Sequence, residues 1–585
     1  MAATLLSLII LNFYFGTNNN VFHIPYVLNL VAAPQFATDK FYHSLQYFTS
    51  AVWPLLKLVS NEENIATVFL LAHILSRAAV VIAIAWVLVQ LDVPNRHLIG
   101  LGVILLVLSP LLNGYSIIGR HGMLINYFTH TELTWPLVLA SLGLMATSRV
   151  LPAALFAGLT FAVNAFVGCW VLAILLFTTL HGTLTESLKR MAWILALFLV
   201  VAAPVIVWIV IALQQPVSAE SFDFREYIRA YYQPHFLIEG VQRRQLAELF
   251  CIFIAGLASS MRLRDSGYWT KVVSGTALLF VIGMVLPYWW NHRLVFNLHL
   301  LRIDGLLQFI VALLVVAVSL RDYMREHGAG RVAPFLALLG SVAPNAVLAY
   351  FLVTLLLILK PVLQAVLIRS GRPVDQASLR RYSALIALTL WTVWSICSVA
   401  LSPFQALGVL FHLAGLLCGA ALFLLHSPMP LRIGASLLAA PLVLVALLAR
   451  ERDLAYQEQV RRPAKLEVAA IADWIAAHPL GGAVLLTGET AWEGSFQLKS
   501  RNPVWVDHKQ GAAVMWSPAF HEQWGKRWRE VRRLGGSADI IAYARLNSIR
   551  YFVDDATACP DGTRLLNRQG MHVLCELEQS HQPNT

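Results

Sequence analysis

Apolar runs recur along the first 450 positions, separated by short polar breaks, and they cease after residue 449. A helix needs about 20 such residues to cross the hydrocarbon core of a bilayer. The pattern predicts spans near 3–16, 65–91, 98–118, 132–148, 150–167, 168–181, 191–213, 246–261, 271–290, 303–320, 384–402, 406–425 and 432–449. The block 332–359 is too long for one simple span and too short for two, and Pro344 with Asn345 breaks it. It reads as one kinked helix, a re-entrant hairpin or an interfacial pair. The chain is therefore expected to be a polytopic α-helical membrane protein of 13 spans over residues 1–450, followed by a separate unit over 451–585.

That second unit has another rhythm. A helical pattern from Leu466 to Ala477 gives way to short β-rich runs at 483–487, 503–506, 551–554 and 571–574. Strands alternating with helical stretches predict a small α/β domain. Cys559 and Cys575 lie 16 residues apart within it. In an oxidising compartment they form a disulfide; the alternative is a pair of buried thiols.

Composition narrows the class. Of 585 residues 58% are hydrophobic and 13% charged, about half the charge of a soluble domain. This excludes an ordinary soluble enzyme, a disordered chain and a nucleic-acid-binding module. Residues 451–585 hold 16 basic and 16 acidic side chains, so the net charge of +11 belongs to residues 1–450. Basic loops mark the cytoplasmic side. Three stand out: 262–271, 321–331 and 360–381. Placing them inside puts 17–64, 119–131, 214–245 and 289–302 outside. The tail follows them outside if block 332–359 crosses an even number of times. The first run, Leu5 to Phe15, lacks a basic flank and a small-residue cleavage site, and reads as an uncleaved anchor.

There is no phosphate-cradling lysine loop, GxGxxG, HExxH, CxxC or GxSxG, so nucleotide-driven chemistry is not expected. No cofactor is called for, and a divalent metal is left open. The richest segment is the first external loop, 17–64. It holds Asn18–Tyr26, with His23 and Tyr26 as candidate acceptor-side residues, and an apolar helical spacing from His43 to Val59 that predicts an interfacial helix. Asp39 is the only acidic residue among the first 61. A carboxylate there can take a proton from an attacking hydroxyl, or it caps the following helix.

A short first span, a long external loop with one carboxylate before an interfacial helix, many further spans and a terminal α/β unit together resemble the GT-C superfamily of membrane glycosyltransferases. In the tail, Ala542–Arg545 followed by Ile549-Arg550-Tyr551-Phe552-Val553-Asp554-Asp555, and Phe496, Arg501 and Trp505-Val506-Asp507-His508-Lys509, are similar to features of that group. The resemblance implies an inverting transferase using a polyprenyl-phosphate-linked sugar, with a glycan or lipid-linked acceptor, in a bacterial inner membrane with the tail outside. It implies Asp39 as the base, although Lys40 follows where many members carry a second acid.

Such a donor needs cations at the external interface, and arginine suits phosphate by its planar fork. Candidates are Arg120, His121, Arg225, Arg229, Arg243, Arg244, His292, Arg293 and Arg302. Arg77 lies mid-span, where an unpaired cation costs at least about 2.5–3.5 kcal/mol, and is either paired or part of the donor cavity. Glu132 and Asp304 are supporting carboxylates. The alternatives are a lipid-linked glycan flippase or transporter, and a glycan polymerase or ligase.

Overall fold

The structure is a computed structural model, and it describes residues 1–214, 222–343, 346–370, 375–401, 405–424 and 462–578. The expected span at 432–449 lies outside the described residues. Among the described residues five helices are long and apolar enough to cross a membrane: Ile65–Gln90, Leu184–Leu213, Ser266–Trp289, Arg293–Arg325 with its short lead-in turns, and Ala349–Arg369. Other predicted spans are shorter helices, among them Ala2–Leu11, Arg96–Leu108, Val150–Val163 and Ala165–Thr178.

At the centre stands Asp304–Arg325, whose residues from Asp304 to Arg321 are all buried. An apolar helix with no exposed face must be wrapped on every side by other helices. Around it the exposed faces of Leu184–Leu213 and Ser266–Trp289 are apolar: Val200, Val207, Ile211, Val281 and Val285 are all exposed. Exposed valine and isoleucine in rows belong against lipid.

Three expectations are corrected. The predicted span 98–118 stops at Leu108, because residues 109–129 form an ordered loop. Asp304 holds that loop: its carboxylate accepts from Ile118 N at 2.6 Å, Gly119 N at 3.2 Å and Ser116 Oγ at 2.8 Å. The interfacial helix from His43 to Val59 is broken into Lys40–Ser44, a turn at Leu45–Tyr47, and Val52–Lys57. The break lets Ser50 Oγ and Ala51 N reach Val163 O and Ala162 O at the end of Val150–Val163. Lys360 and Arg369, placed in a loop by the sequence, lie on the helix Ala346–Arg369.

Block 332–359 resolves into Val332–Gly340 and the first part of Ala346–Arg369. The legs pack so closely that a Cβ on Gly340 would sit 2.7 Å from Val353. Both outer ends meet Glu326: its carbonyl accepts from Arg331 Nε and its carboxylate pairs with Lys360. The two legs pair as a helical hairpin whose outer ends lie together beside Glu326.

The last segment carries a four-stranded mixed sheet, order β1-β2-β4-β3, from β1 (Val484–Leu486), β2 (Tyr551–Asp554), β3 (Thr563–Gln569) and β4 (His572–Leu577). β1 and β2 are parallel; β2–β4 and β3–β4 are antiparallel. The helix Arg462–Ala477 buries Val468, Ile471, Ala472 and Ile475. The run at 503–506 contributes only an isolated bridge, Val484 with Val504, and β3 was not foreseen because its face is polar. A disulfide joins Cys559 and Cys575, with Cα atoms 5.8 Å apart.

Candidate functional site

The tail docks on the loops that the charge pattern grouped with it. Gln497 Nε2 donates to Asp39 Oδ2 at 2.6 Å, Trp516 Nε1 to Ser44 Oγ at 3.1 Å and Lys509 Nζ to Asn19 Oδ1 at 3.0 Å. Tyr227 OH donates to Gly511 O at 2.5 Å and Tyr232 OH to His508 O at 3.0 Å. Loops 17–64, 222–241 and 291–302 thus lie at one end with the tail, and two cavities open between them.

The larger, about 310 Å³, is walled by three parts of the chain. The first loop gives Asn19, Phe22 and Phe48; the helical body gives His130, Asn164, Phe166, His299 and Arg302; the tail gives Lys509, Met515 and Trp516. Its volume falls in the range of about 300–1,000 Å³ typical of ligand pockets. Ile209, Ala212 and Leu213, at the end of Leu184–Leu213, complete one wall, so the cavity adjoins that helix's lipid-facing surface. Trp289 and Trp290, at the end of Ser266–Trp289, are 84% and 58% exposed.

Among the described residues no carboxylate lines this cavity. The Arg302 side chain makes no hydrogen bond or ion pair among the described residues, and its Nε is buried without a partner, as are Nδ1 of His130 and of His299. Lys509 has only the Asn19 amide oxygen. Burial, then repulsion from Arg302, lowers the Lys509 ammonium to about 8, against the pull of Asp507. Asp507, buried behind it, is pushed up to about 7 by burial despite hydrogen bonds from the Gln510 and Lys509 amides. Native proteins seldom leave buried polar groups unpaired, and cations so arranged await an anion.

Asp39 lies elsewhere. It lines a second pocket of about 170 Å³ with Trp505, Gln510, Phe520, Gln523, Trp524 and Arg527. Its Oδ1 caps the helix Lys40–Ser44 through Tyr42 N at 3.0 Å. Burial raises its pKa, opposed by the hydrogen bonds from Tyr42 and Gln497. The guanidinium of Arg527 covers the Trp505 ring at 3.4 Å. The tail segment 504–516 separates the two pockets, contributing residues to both. The expected juxtaposition of Asp39 with the cation-lined groove is not found.

The remaining predicted residues fall into three groups. Arg293 lines the cation cavity, but Nε and Nη2 are spent on Met515 O and Trp516 O at 3.3 and 2.6 Å. His121 is buried just behind, against Trp135 and Trp170; burial and then Arg302 lower its pKa to about 3. Arg120 is exposed at the rim with φ +52°.

Others hold the scaffold. Arg77 and Glu132 form a fully buried pair, Nε–Oε1 2.7 Å, and Arg77 also binds Ser7 Oγ and Ile125 O. They neutralise each other and are free for neither donor nor acceptor. Asp304 pins loop 109–129 rather than pairing with Arg302. Arg225 donates to Tyr288 O at 3.0 Å, and Arg229 pairs with Glu239.

The last group does not line the cavity, although His23 lies directly behind its wall, 5.6 Å from the rings of Phe48 and His130. His292 caps the helix Arg293–Asn297 and stacks on Trp290. Arg244 pairs with Glu248. His23 is stacked on Trp53 at 3.9 Å, and Tyr26 is half-buried beside Lys57.

Reading the sequence passed over Lys509, His130, His235 and His299. Lys509 sat in a quoted motif but on the tail; the histidines lacked ligand spacing. Among the described residues no group of three or more metal-ligating side chains converges.

No protein-family model matches the chain, and no curated protein matches it. Among solved structures it is similar to ArnT from Cupriavidus metallidurans, crystallised bound to undecaprenyl phosphate. The likeness covers 99% of this chain and 97% of that one, at 13% identity and a TM-score of 0.40. So loose a likeness decides neither site nor chemistry, which rest on the geometry above.

Proposed function

We propose that the protein is a membrane glycosyltransferase that takes its sugar from a polyprenyl-phosphate donor and passes it to a glycan or lipid-linked acceptor on the tail's side of the membrane. One observation supports this reading: a cavity beside a lipid-facing helix that Arg302 and Lys509 line with no carboxylate among the described lining residues, Asp304 and Asp507 lying behind them. A phosphodiester brings the missing negative charge, and charged hydrogen bonds to it are about twice as strong as neutral ones. The isoprenoid chain lies along the exposed apolar face of Leu184–Leu213, and the sugar sits among Phe22, Phe48 and Trp516. The phosphate leaves as the sugar is transferred, so no nucleotide is needed. The basic end opposite supports an inner-membrane orientation with the tail outside.

The test is direct. Purified full-length protein in nanodiscs, given undecaprenyl-phosphate-linked radiolabelled hexoses, is expected to release or transfer the label. Movement of intact donor across a vesicle wall, with no bond broken, makes the protein a flippase and overturns the reading.

A further inference from the structure

If the phosphate occupies the cation cavity, an attacking hydroxyl needs a proton acceptor there, and among the described residues no carboxylate lines it. His235 does line it. The ring is carried on the short helix Gln233–Phe236, outside the membrane-spanning helices. Its Nδ1 lies 3.1 Å from Gly119 O. A carbonyl oxygen only accepts, so Nδ1 holds the hydrogen and Nε2 is left with a bare lone pair. Phe236, against His235 at 6.3 Å, is itself buried and fixes the helix.

We infer that His235 Nε2 is the general base of the transfer, which rests on the transferase reading of the same cavity. The acceptor oxygen forms its bond to the anomeric carbon as the bond from that carbon to the phosphate oxygen breaks. The hydroxyl proton passes to Nε2, and the electron pair leaves with the polyprenyl phosphate, whose charge Arg302 and Lys509 hold. The imidazolium then gives its proton to water.

The charges around the ring make this conditional on the donor. Burial first, then Arg302, Arg120 and Lys509, lower the His235 pKa to about 3, against the Gly119 hydrogen bond. His299 and His121, also near Arg302, add no negative charge. An anion seated between Arg302 and Lys509 offsets two of the three cations that act on the ring and raises the basicity of Nε2. The base is therefore weak in the empty cavity and gains strength once the phosphate arrives.

The experiment uses the full chain in nanodiscs, undecaprenyl-phosphate-linked hexoses as donors, and water or an octyl hexoside as acceptor. His235→Ala is expected to bind undecaprenyl phosphate within about twofold of wild type while transfer falls about 10²–10⁴-fold, the usual span of general-base catalysis. Added imidazole is expected to restore part of the lost rate. His235→Gln, which keeps a hydrogen-bonding amide, binds equally and is not rescued. Transfer by His235→Ala above a tenth of wild type overturns the assignment, as does loss of donor binding or failure of imidazole to rescue. Wild-type protein that does not bind undecaprenyl phosphate overturns the transferase reading instead.

Discussion

The two ends of the molecule handle positive charge in opposite ways. At the basic end every cluster has a carboxylate within it: Arg262 pairs with Asp322 at 2.7 Å, and Lys360 and Arg380 share Glu326. At the end that carries the tail, Arg302 and Lys509 face a cavity that no carboxylate lines among the described residues. Counting basic residues would rank the first end as the anion site. Following their partners reverses the ranking, because a satisfied charge belongs to the scaffold and an unsatisfied one is left for a ligand.

The largest effect expected from breaking this contrast lies at neither end. Glu132→Gln strands Arg77 in the interior, and losing one partner of a buried pair costs about 3–5 kcal/mol. Thermal unfolding in detergent is expected to show a strongly lowered midpoint, with donor affinity intact in whatever remains folded. Next comes the cavity itself: Arg302→Ala or Lys509→Ala removes charged hydrogen bonds worth about 1.5–3 kcal/mol each. Titration with undecaprenyl phosphate is expected to show affinity falling roughly 10- to 150-fold, with the melting midpoint nearly unchanged.

The pH dependence sharpens the same point. With the Lys509 pKa near 8, the ammonium is present below that pH and lost above it, so donor binding is expected to decline as pH rises through about 8. A donor phosphodiester keeps its charge throughout. Lys509→Arg is expected to flatten the profile, since guanidinium stays charged. At the opposite end, Glu326→Gln costs about 1 kcal/mol at most for partly exposed pairs and leaves phosphate affinity as it was. Smallest of all, Asp39→Asn keeps the helix cap, because asparagine caps about as well as aspartate. A midpoint shift within a few tenths of a kcal/mol and retained transfer are expected; abolished transfer would return the base role to Asp39.

What the sequence disclosed follows from how local each signal was. The apolar runs and the β-rich patches at 484–486 and 551–554 announced themselves through period and composition. Strand β3 did not, since Arg564, Asn567 and Arg568 fit a solvent-facing strand no better than a loop. Span 98–118 was overextended because Leu111, Leu112, Ile117 and Ile118 are apolar yet serve a folded loop that Asp304 secures from nearly 190 positions away. Asp39 stood out by its solitude, but solitude along the chain says nothing of which cavity a side chain lines. Lys509 and Arg302 become neighbours only through the docking of the tail, a relation no window of sequence contains.

One consequence lies in the order of biosynthesis. One wall of the cation cavity is built by Lys509, Ala512, Met515 and Trp516, synthesised long after Asn19 and Arg302 have been laid down. A ribosome that stops short of it leaves an inserted helical body with a gap where Lys509 and Trp516 belong. Such a truncated product has an incomplete cavity, so on the proposed reading competence to bind arrives only with the final quarter of the chain.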